Sequence, residues 1–206
     1  MRTMHAFVLL ASGVLLVASS AHAQQGGPKL RLGAGAVVDF AGGLEVDPPG
    51  SGNNYNDGMR ATPGLRGHLD YDLARYFSLG GFARFSWWKG DDQFSDGRSM
   101  YIDFGARLRA KYDYKDYRFY GVFMLGPTIE RLNNDYDTNL RRTAVGVTAA
   151  IAPGVEWWFD PDFGLFLEMF GWTGHYVNHD VRTGPGSVTL RVNQVLWQFG
   201  VLFALR

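Results

Sequence analysis

The sequence feature that most constrains the fold is a repeated alternation of apolar and polar side chains. About eight segments of roughly ten residues show it, joined alternately by long polar stretches and by tight turns. A period of two is typical of β-strands, because successive side chains of a strand point to opposite faces. The alternation is clearest from residue 102 to residue 112, where six apolar residues at even positions alternate with Asp103, Gly105, Arg107, Arg109 and Lys111.

This pattern predicts an all-β fold, an antiparallel up-and-down barrel of eight strands. The predicted strands cover residues 29–40, 64–73, 77–88, 102–112, 118–132, 144–159, 163–173 and 194–205. Four long loops, at 41–60, 89–99, 133–142 and 174–187, alternate with three tight turns. In transmembrane barrels of bacteria the short turns lie in the periplasm and the long loops lie outside, so an even strand number places both termini in the periplasm.

The first 23 residues have the features of an export signal and not of a strand. Arg2 is followed by an apolar run over residues 6–17, which is too short for a membrane-spanning helix, and Ala21-His22-Ala23 is a small-x-small cleavage site. We therefore expect cleavage after Ala23, which leaves residues 24–206 as one barrel domain.

Charge and cysteine content exclude several classes of protein. The 20 basic and 20 acidic residues of the whole chain balance, so there is no basic field of the kind that attracts nucleic acid. The chain has no cysteine, so disulfides and thiolate chemistry are excluded.

Segment length and aromatic placement favour a barrel in lipid over a soluble sandwich. The segments are longer than the five or six residues of a typical soluble strand. Aromatic residues cluster at segment ends, where amphipathic rings prefer the two membrane–water interfaces. The predicted girdle beside the short turns contains Tyr71, Tyr76, Tyr112, Tyr114, Tyr117, Trp157 and Trp158, and the girdle beside the long loops contains Trp87, Trp88, Tyr101, Trp172 and Tyr176. We therefore predict an integral protein of the bacterial outer membrane.

The polar face carries charges of both signs near the centres of the strands. An eight-stranded barrel is just wide enough for side chains to fill it, so charges inside must pair. Closure of the lumen by salt bridges is the favoured interpretation, and a gated ion path is the alternative. The predicted network contains Arg66, Asp70, Arg84, Asp103, Arg107, Arg109, Glu156 and Glu168.

These features, with the glycine-aromatic phrases at residues 76–82 and 153–158, resemble the small eight-stranded outer-membrane barrels. That family is typified by the membrane domain of outer-membrane protein A and by outer-membrane protein X. The resemblance covers the predicted mature chain and implies outer-membrane lipid, lipopolysaccharide and the barrel-insertion machinery as partners. Members usually end in an aromatic residue that this machinery reads, whereas this chain ends in Phe203-Ala204-Leu205-Arg206.

Three functions remain open at this point. The leading hypothesis is a non-catalytic protein that maintains the envelope or binds a surface ligand through its outer loops, above all loop 41–60. The second is a narrow, porin-like channel for small solutes. The third is a lipid A-modifying enzyme at the outer rim, for which His175, His179, Asp180 and Ser187 are the candidates. We expect no catalytic residue, no cofactor and no metal site, because the histidines fall in a predicted loop and a metal site needs three or four converging ligands.

Overall fold

The computed structural model describes residues 30–47, 55–88, 99–132, 141–181 and 186–205. The predicted signal peptide, residues 1–23, lies outside the described residues. No helix in the described part of the chain is long and apolar enough to cross a membrane.

Eight antiparallel strands close into a ring, which confirms the predicted fold class. Each strand pairs with the next around the ring, and the last strand pairs back with the first. A ninth, short strand, β2, pairs with residues 42–46 of β1. This part of β1 extends beyond Asp39, the last β1 residue that pairs with β3. The strands are β1 (Leu30–Asp47), β2 (Tyr55–Met59), β3 (Thr62–Ala74), β4 (Phe77–Trp88), β5 (Ser99–Tyr114), β6 (Tyr117–Arg131), β7 (Thr143–Trp158), β8 (Phe163–Asp180) and β9 (Ser187–Leu205).

Two of the predicted long loops are largely strand. Within predicted loop 41–60, the end of β1 pairs with β2 over residues 42–46 and 55–59, and only 48–54 lie outside the described residues. Within predicted loop 174–187, β8 continues to Asp180 and β9 begins at Ser187. The ladders therefore continue past the point where the apolar alternation of the sequence stops.

The short connections and the two ends of the ring lie together. Leu30 and Leu205 pair at one end of the barrel, which also holds the turns at 75–76, 115–116 and 159–162. The longer connections lie at the opposite end. In bacterial barrels the short turns lie in the periplasm, so the end with the short turns is named the periplasmic end here and the opposite end is named the outer end.

The outer face of the barrel is apolar and its inner face is largely polar. The exposed large apolar side chains include Leu65, Phe104, Phe123, Ile151 and Phe199, whereas arginines and carboxylates are among the most buried side chains. This arrangement is the reverse of a soluble protein and suits a surface covered by lipid tails.

The aromatic rings at the two ends follow this division, with three corrections to the predicted girdles. Nine of the twelve predicted rings are exposed on the outer face: Tyr71, Tyr76, Trp87, Tyr112, Tyr114, Tyr117, Trp157, Trp172 and Tyr176. Trp88 and Tyr101 are instead buried and stack on each other inside the barrel. Trp158 is half-buried, and its Nε1 donates to Glu156 in the lumen at 3.0 Å. The prediction was wrong for these three because each directly neighbours a residue that faces lipid, and neighbouring strand residues face opposite ways.

One bulge in β8 changes which residues face inward. The register of β8 with β7 and with β9 shifts just after Glu168, because β8 contains one extra residue between Glu168 and Trp172. Phe170 adopts a left-handed backbone, with φ of 53°. Before the bulge the even-numbered residues of β8 face inward; beyond it the odd-numbered ones do. Pro153 lies opposite this bulge on β7, where the irregular ladder does not require it to donate a hydrogen bond to β8.

Candidate functional site in the barrel interior

The centre of the barrel is filled by side chains that converge on one carboxylate. Glu168 on β8 is fully buried and forms an ion pair with Arg66 on β3. Arg107 on β5 donates through Nη2 to Glu168 Oε1 at 2.6 Å, and the Tyr120 hydroxyl donates to the same oxygen at 3.0 Å. These contacts join strands that are not neighbours in the ring, so they cross the lumen and do not merely line it.

The network continues from the centre toward the periplasmic end. Asp70 on β3 pairs with Arg107 and with Arg109, whose Nη1 lies 2.7 Å from Asp70 Oδ2. Arg109 pairs in turn with Glu156 on β7, and its guanidinium carbon lies 4.0 Å from the centre of the Tyr120 ring. Each charge in this row therefore has at least one opposite charge in contact, which a buried charge needs to avoid a cost of several kcal/mol.

At the periplasmic end of the lumen the same chain of charges reaches partly exposed groups. Arg31 on β1 pairs with Asp72 and lies 3.8 Å from Glu156. Lys111 Nζ lies 2.5 Å from Asp72 Oδ1, and the Asp72 side chain is 20% exposed. An unbroken series of ion pairs therefore connects the periplasmic end of the lumen with the centre of the barrel.

A second cluster lies above the centre, toward the outer end. Arg84 on β4 pairs with Asp39 on β1, and its Nε lies 3.7 Å from Asp103 Oδ2. That Asp103 oxygen is 3.0 Å from His175 Nε2 on β8. The cluster connects four strands at a second level, so the lumen is crossed by charged groups more than once.

The upper part of the interior combines a ring stack, a further ion pair and an apolar cluster. The Tyr101 ring lies between Trp88 and His175, with centroid distances of 5.8 and 4.2 Å. His179 Nε2 lies 2.9 Å from Glu130 Oε2 on β6. The apolar cluster packed around this level is Leu44, Trp88, Tyr101, Leu132, Ala144, Val177, Leu190 and Val192.

All eight residues of the predicted lumen network lie buried inside the barrel. They meet in two separate groups: Arg84 with Asp103 in the upper cluster, and the other six in the central network. Sequence reasoning missed Glu130, although it shares its parity with Tyr120 and Met124 on β6 and could have been found by that signal. It also missed the interior positions of His175 and His179, which the bulge at Phe170 turns inward.

The interpretation of these histidines as solvated loop residues was wrong. His175 and His179 are buried, and each has a ring nitrogen within hydrogen-bond distance of a carboxylate. Ser187, the candidate nucleophile, is exposed and pairs in the ladder with Asp180. A nucleophile needs its base within hydrogen-bond reach, and the His175 ring nitrogen is directed at Asp103 instead. Among the described residues no group of three or more His, Asp or Glu side chains could hold a metal ion.

Comparison with protein families identifies the family of this barrel. The family model described as the outer membrane protein beta-barrel domain matches residues 7–203. The chain belongs to that family. Its members are integral to the outer membrane, so the predicted localisation in the Gram-negative envelope is confirmed. A search of curated proteins by sequence found no match.

Solved structures of outer-membrane barrels share the fold of this family member. OprG from Pseudomonas aeruginosa aligns with a TM-score of 0.57 and 8% identity, over 86% of this chain and 95% of OprG. AlkL, solved in lipid bilayers, aligns with a TM-score of 0.53 and 12% identity, over 89% of this chain and 93% of AlkL. Neisserial surface protein A aligns with a TM-score of 0.50 and 14% identity, over 88% of this chain and all of that protein. At these identities the similarity concerns the fold alone.

Proposed function

We propose that this outer-membrane barrel has a closed lumen and acts through its outward-facing surface, without catalysis. The observation that carries this proposal is the series of ion pairs from Arg31 to Arg66, in which the central side chains are at most 2% exposed. An ion that entered the lumen would have to separate these pairs. Removing one partner of a buried pair costs about 3–5 kcal/mol, which is a high barrier to conduction.

The outer end of the barrel supports the second half of the proposal. Strands β1, β8 and β9 contain 18, 18 and 19 residues, whereas a membrane-spanning strand needs about 9–11. The additional length, with β2 added to the edge of β1, continues the ladders past both Trp172 and Tyr176 of the outer girdle. Rigid scaffolds that present connecting segments are a common basis for binding, so we propose that a surface ligand is bound at this end of the barrel.

Conductance in a planar bilayer tests the closed lumen. We would use wild-type protein whose gel mobility shifts on heating, and beside it a variant in which Arg66, Arg107 and Glu168 are all alanine. The wild type should show no current steps, and the variant should show steps if it folds. Reproducible wild-type steps that change when Arg107 alone is neutralised would refute the proposal.

A narrow channel is the second candidate, and one side of the lumen favours it. Within the described residues, neither side-chain polar atom of buried Gln198 on β9 has a hydrogen-bond partner. A path along β9 would carry small polar solutes past the ion pairs. Under this candidate Gln198→Leu would reduce solute flux into vesicles loaded with protein; under the closed-lumen proposal no flux exists to be reduced.

A further inference from the structure

Three arginines lie together at the outer rim between β6 and β8. Arg131 is the last residue of β6 and faces outward, and Arg141 and Arg142 directly precede β7. All three are exposed. They are close in the fold because Arg131 pairs with Thr143 across the ladder, and Leu132 N donates to Arg142 O at 2.7 Å.

Buried groups hold the main chain of this basic segment in place. Arg141 N donates to the Asp180 carbonyl at the end of β8 at 2.9 Å. The Arg141 carbonyl lies 2.9 Å from Nδ1 of His179, whose other ring nitrogen lies on Glu130. Because both side chains of the His179–Glu130 pair are fully buried, the position of Arg141 is set by the barrel interior.

The arginines lie at the depth of the outer headgroup layer. Tyr176 of the outer girdle pairs with Val147, which pairs with Pro127, and Arg131 is four residues further out on the same strand. Paired rows climb ten residues in one turn around the ring, from Leu30 to Phe40, so the row falls by about 2.5 residues over the two steps from β8 to β6. Arg131 therefore lies about 1.5 residues, or about 4 Å along the barrel axis, further out than Tyr176, which is within a headgroup layer about 5–8 Å thick. Among the described residues, the Asp180 carboxylate lies 3.8 Å from the Arg141 guanidinium, and both side chains are about two-thirds exposed. Exposed pairs of this kind contribute little and leave the guanidinium able to exchange partners.

We infer that Arg131, Arg141 and Arg142 bind the phosphate groups of lipopolysaccharide in the outer leaflet. Guanidinium groups bind phosphate oxygens through paired, charge-assisted hydrogen bonds, and phosphate is the anionic group of that lipid at this depth. The inference rests on the proposed function, since it names a ligand for the outward-facing surface. It does not depend on whether the lumen conducts.

The test measures binding of fluorescent bisphosphorylated lipid A to the full barrel in detergent micelles, with enzymatically dephosphorylated lipid A as the comparison probe. The variant R131Q/R141Q/R142Q removes the three charges from exposed positions. The control R75Q/K115Q removes two charges from exposed positions at the periplasmic turns. Folding of each variant is checked by its heat-dependent gel mobility.

The wild type and the control should bind the bisphosphorylated probe equally, and the rim variant should bind it at least about tenfold more weakly, since one charge-assisted hydrogen bond contributes about 1.5–3 kcal/mol. Binding of the dephosphorylated probe should be equally weak for all three. Equal affinity of the rim variant and the wild type for the bisphosphorylated probe would overturn the inference. So would wild-type binding that inorganic phosphate or a soluble sulfated glycan displaces at concentrations no higher than lipid A itself. Neither result affects the conductance test of the closed lumen.

Discussion

Replacement of Glu168 by glutamine tests whether the lumen charges stabilise the barrel. The carboxylate is fully buried and accepts from Arg66, Arg107 and Tyr120. Glutamine keeps the shape but removes the negative charge, so Arg66 loses its ion-pair partner while Arg107 retains Asp70. Two charge-assisted hydrogen bonds at about 1.5–3 kcal/mol each give a loss of about 3–6 kcal/mol, in agreement with about 3–5 kcal/mol for breaking a buried pair.

The free energy of unfolding is measured with urea in phosphatidylcholine vesicles, followed by tryptophan fluorescence and extrapolated linearly to zero denaturant. Asp113→Asn is the matched control, because it also neutralises a carboxylate paired with an arginine, Arg118, but at a site that is 51% exposed. We expect the control to lose less than about 1 kcal/mol. A loss for Glu168→Gln that is no larger than the control's would refute the reasoning.

A double-mutant cycle separates the pair from the rest of the network. Arg66→Met alone should destabilise by leaving Glu168 with one arginine fewer, and the double variant R66M/E168Q should be more stable than the sum of the single losses implies. Residues in direct contact couple by about 0.5–3 kcal/mol. Strictly additive losses would mean that Arg66 and Glu168 do not act as a pair in the lipid-embedded barrel.

Two further predictions concern Trp88, which lies inside the barrel and not in the predicted girdle, and Phe170 at the bulge of β8. Trp88→Ala should cost about 3–5 kcal/mol, because Trp88 is buried against Tyr101, whereas Trp87→Ala at the lipid interface should cost less; equal losses in the same urea assay would contradict the interior position. Deletion of Phe170 should prevent formation of the heat-modifiable barrel, because it turns the outer part of β8 inside out. Phe170→Gly keeps the extra residue and accepts its left-handed backbone, so this variant should fold; a deletion variant that folds as well would contradict the role of the bulge.

The sequence predicts those strands best whose alternation is unbroken. Predicted strand 77–88 has the bounds of β4, and the parity read from residues 102–112 is the parity of β5. The pattern fails where a bulge inserts one residue. In β8 the inward-facing residues change from even to odd numbers at Phe170, so the sequence beyond it no longer continues the earlier alternation, and the predicted strand stops at residue 173 although β8 continues to Asp180. The ladder of β1 shifts similarly between Phe40 and Gly43.

The interior residues were predictable as a set, but their partners were not. Parity alone places Arg107 and Glu168 on the inner face. Which arginine meets which carboxylate depends on the stagger between strands far apart in sequence, as for Arg66 and Glu168, and this stagger is not encoded in any local pattern. The contact between His175 and Asp103 was unpredictable for the same reason, because their strands, β8 and β5, do not pair with each other.

The lumen charges also determine the register of the strands, and this role differs from their contribution to stability. A slip of β5 by one residue would turn Arg107, Arg109 and Lys111 from the lumen into lipid. Each basic side chain near the bilayer midplane costs about 2–4 kcal/mol, falling toward zero near the interfaces, so even one deep arginine makes the slipped barrel uncompetitive. Replacing the paired charges by apolar residues can leave a folded protein equally stable, but it would remove this penalty. We therefore expect a barrel with an apolar lumen to insert in several registers, which would be visible as multiple folded bands on an unheated gel, whereas the native charges allow one.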